Sequence, residues 1–362
     1  VVEPDMSYAE TGVRCALMRG GTSRGLYFRA ADLPADAAER DDLLLRLMGT
    51  PDPRQIDGLG GATSLTSKVA IVSPSADPRA DVDYLFLQLG VREPTVSDRQ
   101  NCGNILAGVG PFAVESGLAP AGPAETTVRI RMVNSDSLAE ATFPTPGGRV
   151  EYRGDVAIDG VPGTAAPIVL AFTGGAESGP GGLLPTGAVR DTVTGLEVTC
   201  VDNGMPVVIA QAEALGLTGY ESADRLAADS ALLARIDALR VAAGSRMGLG
   251  DVRGAPIPKT MLLAPARDGG DLCVRSFIPT QPHTAVGVLA AISAVTGARL
   301  PGAVGSELTA GWAGPRVDVE HPSGHLLVEV ELDHTVEPAR VVRSAVIRTA
   351  RMLFDGTAYP RA

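Results

Sequence analysis

The chain has 362 residues, is 45% hydrophobic and 20% charged, and carries a net charge of −11. At about 150 residues per domain this length suggests two domains, each able to bury its own core. The acidic balance, with no basic patch to offset it, argues against nucleic acid and anionic membranes as partners. The apolar runs fall short of the roughly 20 residues a bilayer span needs, and the acidic start has no signal-peptide pattern. Four widely spaced cysteines (Cys15, Cys102, Cys200, Cys273) read as reduced thiols, so the expected setting is cytoplasmic.

In chain order, the stretch from Cys15 reads as strand, glycine-bearing turn and strand. Its turn, Arg19-Gly20-Gly21-Thr22-Ser23-Arg24-Gly25, combines close-approach glycines, hydroxyls and two guanidiniums. That suits carboxylate recognition, since arginine binds carboxylates in a bidentate fork; a tight hairpin with charged flanks fits equally well. A helix is expected over Ala37–Met48. A glycine-rich run, Asp57–Ala62, and a polar segment ending at Ser67 then lead to Lys68 and the strand VAIV. The spacing is not that of a phosphate loop. Lys68 reads either as a base at a strand entrance or as a solvated edge lysine that blocks pairing.

Next comes Gln100-Asn101-Cys102-Gly103-Asn104, opening a helix expected over Asn104–Gly117 that is apolar on all sides and therefore buried. A cysteine at a helix N-terminus meets free backbone N–H groups and the positive dipole end, a setting that favours thiolate chemistry; the same amides can hold a carboxylate or an enolate oxygen. The alternative is a buried thiol behind an ordinary Asn-capped helix. The Gly/Pro-rich stretch Gly174–Pro185 reads as a linker. Beyond it come a turn at Asp202-Asn203-Gly204-Met205, a helix across Ala223–Ala242, a strand from Lys259, and a second all-apolar helix over Thr284–Gly297.

The halves echo each other. Cys15 corresponds to Cys200, Lys68 to Lys259, Cys102 to Pro282 and Pro146 to Pro322, at offsets of 185, 191, 180 and 176 residues. Four matches in register indicate a duplicated domain. The expectation is an α/β (α+β) fold of two pseudo-symmetric domains, each a curled, mostly antiparallel sheet around a central helix.

Of 31 cationic residues only Lys68 and Lys259 are lysines. Codon bias explains the depletion, but lysine is irreplaceable where an amine must lose and regain a proton, because guanidinium stays charged. The histidines (His283, His321, His325, His334) form no metal-ligand spacing with the cysteines, and no GxGxxG fingerprint opens a helix. Neither a metal nor a nucleotide cofactor is therefore expected.

The strings MRGGTSRG, QIDGLGGA with SLTSKVAIV, QNCGNILAGVGPFA, VTCVDNGMPVV and VRSFIPTQPH resemble the PrpF-like isomerases, and the likeness runs over nearly the whole chain. The family includes 4-oxalomesaconate tautomerases, whose strings are the more similar, and 2-methylaconitate isomerases. The resemblance implies the diaminopimelate epimerase-like fold, with domains at 1–184 and 185–342, residues 343–362 returning to the first, and an active site between them. It also implies a cofactor-independent proton transfer on a small polycarboxylate in aromatic-acid breakdown, and a homodimer. Lys68 and Cys102 match the family's proton-transfer pair, with acid and base roles open. Arg19, Gly21, Thr22, Ser23, Arg24, Ser67, Gly103, Asn104, Asn203, Gly204, Met205, Arg275, His283 and Thr284 are implied to line the substrate. Epimerases of this fold pair two cysteines; here Pro282 stands opposite Cys102, which argues against a two-thiol racemase. A silent carboxylate-binding protein would use the same helix ends.

Overall fold

Alternating apolar positions build strands that pair into two units in the computed structural model, which describes residues 12–98, 101–173, 181–253, 255–312, 314–337 and 339–361. One unit comprises residues 1–170 and 348–362, the other residues 171–347. The strands are β1 (Val13–Gly20), β2 (Ser23–Arg29), β3 (Lys68–Pro74), β4 (Val82–Leu89), β5 (Val96–Ser97), β6 (Glu125–Met132), β7 (Ser137–Pro144), β8 (Ile168–Thr173) and β9 (Asp191–Val193). They continue with β10 (Leu196–Asp202), β11 (Pro206–Gln211), β12 (Lys259–Pro265), β13 (Leu272–Ile278), β14 (Gln281–Pro282), β15 (Arg316–His321), β16 (Gly324–Asp333), β17 (Arg340–Arg348) and β18 (Ala350–Ala358). The helices are α1 (Ala37–Met48), α2 (Gly103–Glu115), α3 (Ala223–Ala228), α4 (Ser230–Arg246) and α5 (Val288–Ala298).

Both units follow one topology. In the first, β1 and β2 form a hairpin, β2 runs parallel to β3, β3 antiparallel to β4, β4 parallel to β6, and β6 antiparallel to β7. In the second, β10, β11, β12, β13, β15 and β16 repeat that order and those senses. Lys68 and Lys259, matched in sequence, are the opening residues of the equivalent strands β3 and β12. The extra strand β18 lies antiparallel to β1 and closes the first unit.

Each sheet is covered on both faces. In the first unit Leu26, Phe28, Val69, Ile71, Leu87 and Leu89 pack against Leu43, Leu44 and Leu47 of α1. Asp36 caps α1 by accepting from the backbone of Ala38 and Glu39, and Gly49 ends it in the left-handed region. The opposite face holds α2, buried from Ile105 to Ala113. Tyr27 presses so close to α2 that a Cβ on Gly108 would lie 2.4 Å from its hydroxyl. In the second unit α4 covers one face and α5, buried from Ala290 to Ala298, the other.

α1 has its expected bounds, and three other elements differ. α5 starts at Val288, not Thr284, because His283 Nδ1 accepts from the Ala285 backbone at 2.8 Å and holds a turn ahead of the Gly287 cap. The helix expected across Ala223–Ala242 breaks at Asp229, whose side chain caps the new helix by accepting from Leu232 at 2.9 Å. α2 is one residue earlier at its start and ends at Glu115. Of the expected linker, residues 174–180 lie outside the described residues. Among those described, no helix is long and apolar enough to cross a membrane.

Candidate active site

Strand alternation places the reactive groups. Lys68 pairs directly with Gln88 across β3 and β4, and Val72 with Tyr84. The Lys68 Nζ donates to Gln88 Oε1 at 2.6 Å and stands 5.1 Å from the centroid of the Phe86 ring. Gln88 cannot turn over, since its Nε2 donates to the carbonyls of Ser67 (3.0 Å), Ser64 (3.1 Å) and Leu89 (3.3 Å). Only Oε1 is left for the amine.

Cys102 is the N-cap of α2, with extended backbone and no side-chain cap bond; its carbonyl accepts from Leu106 at 2.9 Å. The Tyr84 hydroxyl donates to that same carbonyl at 3.4 Å. Tyr84, Phe86 and Gln88 alternate along β4 and so share one face. Lys68 and Cys102 are therefore on the same side of the sheet, the side α2 covers, along a ladder of roughly 13 Å. Burial, followed by the charge of Cys102, pushes the phenols of Tyr27 and Tyr84 well above their usual range. Both stay donors, and Tyr27 binds the Ile105 carbonyl at 2.6 Å.

The Arg19–Gly25 turn is seated on the start of α2. A Cβ at Gly20 would lie 2.3 Å from the Asn104 carbonyl oxygen, and one at Gly21, where φ is +50°, would lie 2.1 Å from Asn104 Oδ1. Only glycine permits that approach. Asn104 Nδ2 then donates to Thr22 Oγ1 at 3.0 Å. Thr22, Ser23 and Arg24, with Arg19, form one wall of a cavity of about 710 Å³. Gly103 opens α2 beside Cys102. Asn101 donates to Ser135 at 2.6 Å, and Gln100 lies outside the described residues.

Several expected contacts have internal work instead. Arg19 Nη1 donates to the carbonyls of Gly21 and Thr349, so this part of its guanidinium is not open to a carboxylate fork. Ser67 is fully buried and donates to Gln55 Oε1 at 2.8 Å, which anchors the loop before Lys68. Arg275 is buried against the Glu221 and Val274 carbonyls. Glycine and serine signals cannot tell a ligand from such partners.

In the second unit the turn Asn203–Met205 sits on α5 as its counterpart sits on α2. The Asn203 side chain donates to Thr296 and Ser344, each at 2.8 Å, while Ser293 Oγ donates to the Met205 carbonyl. Gly204 is exposed with φ +87°, and Thr284 is exposed. Lys259 Nζ would stand 3.4 Å from a Cβ on Gly287, the α5 cap. Burial lowers the Lys259 pKa; burial, then the charge of Lys259, lowers that of His283.

Burial lifts the Asp202 carboxyl from 3.8 to about 6. A carboxyl held above its unfolded value stabilises the fold only while protonated. That contribution is complete below about pH 4 and is lost as pH rises through 6. Asp202→Asn is therefore expected to add about 1–2 kcal/mol at pH 7.5, after discounting for partial solvation, and almost nothing at pH 4. Urea unfolding at the two pH values measures it.

The model of the family described as PrpF protein matches residues 11–361. This chain belongs to the PrpF family. It is 54% identical to a (4E)-oxalomesaconate Delta-isomerase of Novosphingobium over 95% of this chain and 96% of that one. It is 53% identical to a 4-oxalomesaconate tautomerase of Pseudomonas putida, covering 96% of each. A crystal structure of a methylitaconate-delta-isomerase superposes with a TM-score of 0.88 at 33% identity, over 96% of this chain and 95% of the other. This PrpF protein is an isomerase, and its two units have the diaminopimelate epimerase-like fold. Sequence reading did not single out Tyr84, Phe86 or Gln88, although their alternation in VDYLFLQL marks a strand with one polar-edged face.

Proposed function

We propose that this isomerase tautomerises 4-oxalomesaconate in aromatic-acid breakdown by moving one proton between Lys68 and Cys102. The observation that carries the reading is that Lys68 and the α2 cap residue Cys102 lie on the α2-covered side of one sheet. Two relatives at 53–54% identity named for 4-oxalomesaconate support the choice of acid.

Lys68, as the free amine, takes a proton from a carbon activated by the conjugated carbonyl. The C–H electron pair moves into the conjugated system and gives a dienolate. The N-terminal amides of α2 face that charge. Cys102 returns a proton one or three carbons away, or to oxygen, and the thiolate is reset by the ammonium directly or through water. One proton leaves and one is delivered, with no change of oxidation state, so the cycle closes without an electron carrier. While Lys68 is neutral it still donates one N–H to Gln88, which leaves its lone pair directed elsewhere.

Incubation with 4-oxalomesaconate in deuterium oxide, followed by ultraviolet absorbance and proton NMR, tests this. Isomerisation with deuterium incorporation is expected; saturable binding without exchange would mark a silent carboxylate binder. Parallel assay of 2-methylaconitate tests the second reading, for which a relative 37% identical over 95% of this chain is named. A second prediction concerns Gln88. Gln88→Glu places a negative charge on the amine, and the rising limb of the rate–pH curve is expected to move up by about one unit or more. Gln88→Met should lower kcat while leaving that limb in place.

A further inference from the structure

The glycine-rich loop between α1 and β3 is built around one side chain. Gln55 is 1% exposed, although Arg54 and Ile56 on either side of it face solvent. Its Oε1 accepts from the Ala62 backbone and from Ser67 Oγ, each at 2.8 Å, and its Nε2 donates to Thr50 Oγ1 at 3.2 Å. Thr50 Oγ1 in turn donates at 2.7 Å to the carbonyl of Gly90, the residue after β4. A Cβ at Gly60 would lie 2.1 Å from Gln55 Oε1, so only glycine lets the loop wrap the amide this closely. Gln55 and Ala62 themselves hold left-handed backbone, with φ of +46° and +63°. Non-glycine residues keep that region only where their surroundings enforce it, and such positions concentrate at functional sites.

The loop presents a row of carbonyls to the site. Those of Ser64 and Ser67 accept from Gln88 Nε2 at 3.1 and 3.0 Å, and that of Ser67 also accepts from the Leu89 backbone at 3.0 Å. The Leu65 carbonyl accepts from the Arg24 backbone at 2.9 Å, which ties the same loop to the turn seated on α2. With Nε2 occupied in this way, Gln88 Oε1 is aimed at Lys68 Nζ. A Gln88 amide turned the other way would meet the amine with a second donor. Ser67 joins the two halves of the chain of contacts: its hydroxyl is fixed by Gln55, and its carbonyl fixes Gln88.

We propose that Gln55 is a positioning residue of this isomerase. Its own bonds go to Thr50, Ala62 and Ser67, and it acts on Lys68 by holding the loop carbonyls that aim Gln88 at the amine. The inference rests on the reading of Lys68 as the base, but the placement of the amine can be measured without turnover.

Lys68 and Lys259 are the only lysines, so the full chain labelled with lysine carrying carbon-13 at Cε gives two lysine signals, assigned with Lys259→Arg. In the wild type the two Hε protons of Lys68 should be inequivalent and displaced by the Phe86 ring, whose centroid lies 5.1 Å from Nζ. Gln55→Met fills similar space and makes none of the three bonds. In that variant the Lys68 signals should collapse toward equivalence. Its kcat should fall about 10- to 100-fold while KM changes by less than about threefold. Thr50→Val breaks the Nε2 end alone of the Gln55 amide, so it should move the Lys68 signals the same way by less, and it serves if Gln55→Met fails to fold. Asp36→Ala removes the α1 cap and lowers the thermal midpoint without touching the loop, so the Lys68 signals and kcat should stay as in the wild type. Unchanged Lys68 signals in both loop variants, the same loss in Asp36→Ala, or full kcat despite a freed amine would each overturn the positioning role. Full turnover by Lys68→Ala would instead overturn the catalytic reading, and the Lys68 signals would still decide whether Gln55 holds the amine.

Discussion

Lys68→Ala is expected to lower kcat on 4-oxalomesaconate by about 10²–10⁴-fold, the range a positioned general base contributes. Lys68→Arg should lose as much, because the guanidinium keeps the charge and cannot give up its proton at working pH. That pairing separates a base from an electrostatic anchor. An anchor would survive in the arginine variant, with Phe86 5.1 Å from the amine still beneath a cation. The two variants should also fail to exchange substrate protons with deuterium oxide. Full turnover by either one would remove Lys68 from the chemistry.

Cys102→Ala is expected to cost a comparable factor, about 10²–10³-fold in kcat, and to separate the two proton steps. If Lys68 abstracts and Cys102 delivers, the alanine variant still removes a proton and returns one to the same carbon. Deuterium then enters the substrate while isomerisation stalls. The reverse assignment predicts neither exchange nor isomerisation in Cys102→Ala. Cys102→Ser keeps an O–H at the α2 cap but a far weaker acid, and should fall between alanine and the wild type. NMR integration of deuterium against isomer formation reads both outcomes in one tube. The seating of the turn on α2 should persist in these variants, since Gly20, Gly21 and Asn104 make that contact without the thiol.

Much of the fold could be read before any coordinate. Two of the four matched pairs, Cys15 with Cys200 and Lys68 with Lys259, fall on equivalent strands, because alternating apolar residues are local signals that each unit carries for itself. The other two do not: Cys102 caps α2 whereas Pro282 lies in β14 and the cap of α5 is Gly287, and Pro146 follows β7 whereas Pro322 lies between β15 and β16. The bounds of α1 follow from Asp36 and Gly49, a cap at each end. The start of α5 did not, because His283 holds the preceding turn through its ring nitrogen, a contact no periodicity reports.

Within the candidate site, Lys68, Cys102 and the arginine-glycine turn each lie in a short motif whose residue types suit the proposed chemistry. Tertiary structure alone decided which polar groups find partners inside the fold. Ser67 and Arg275 look like ligands in sequence and find partners inside the fold. Gln88 and Tyr152 look ordinary; strand register gives Gln88 to the amine, and folding puts Tyr152 on the cavity wall. Arg351 lies 332 positions after Arg19 and stands opposite it because β18 returns to pair with β1. The physical reason is common to these cases. A residue's type is set locally, but its partner is set by strand register and by which face a helix covers, and both depend on contacts distant in the chain.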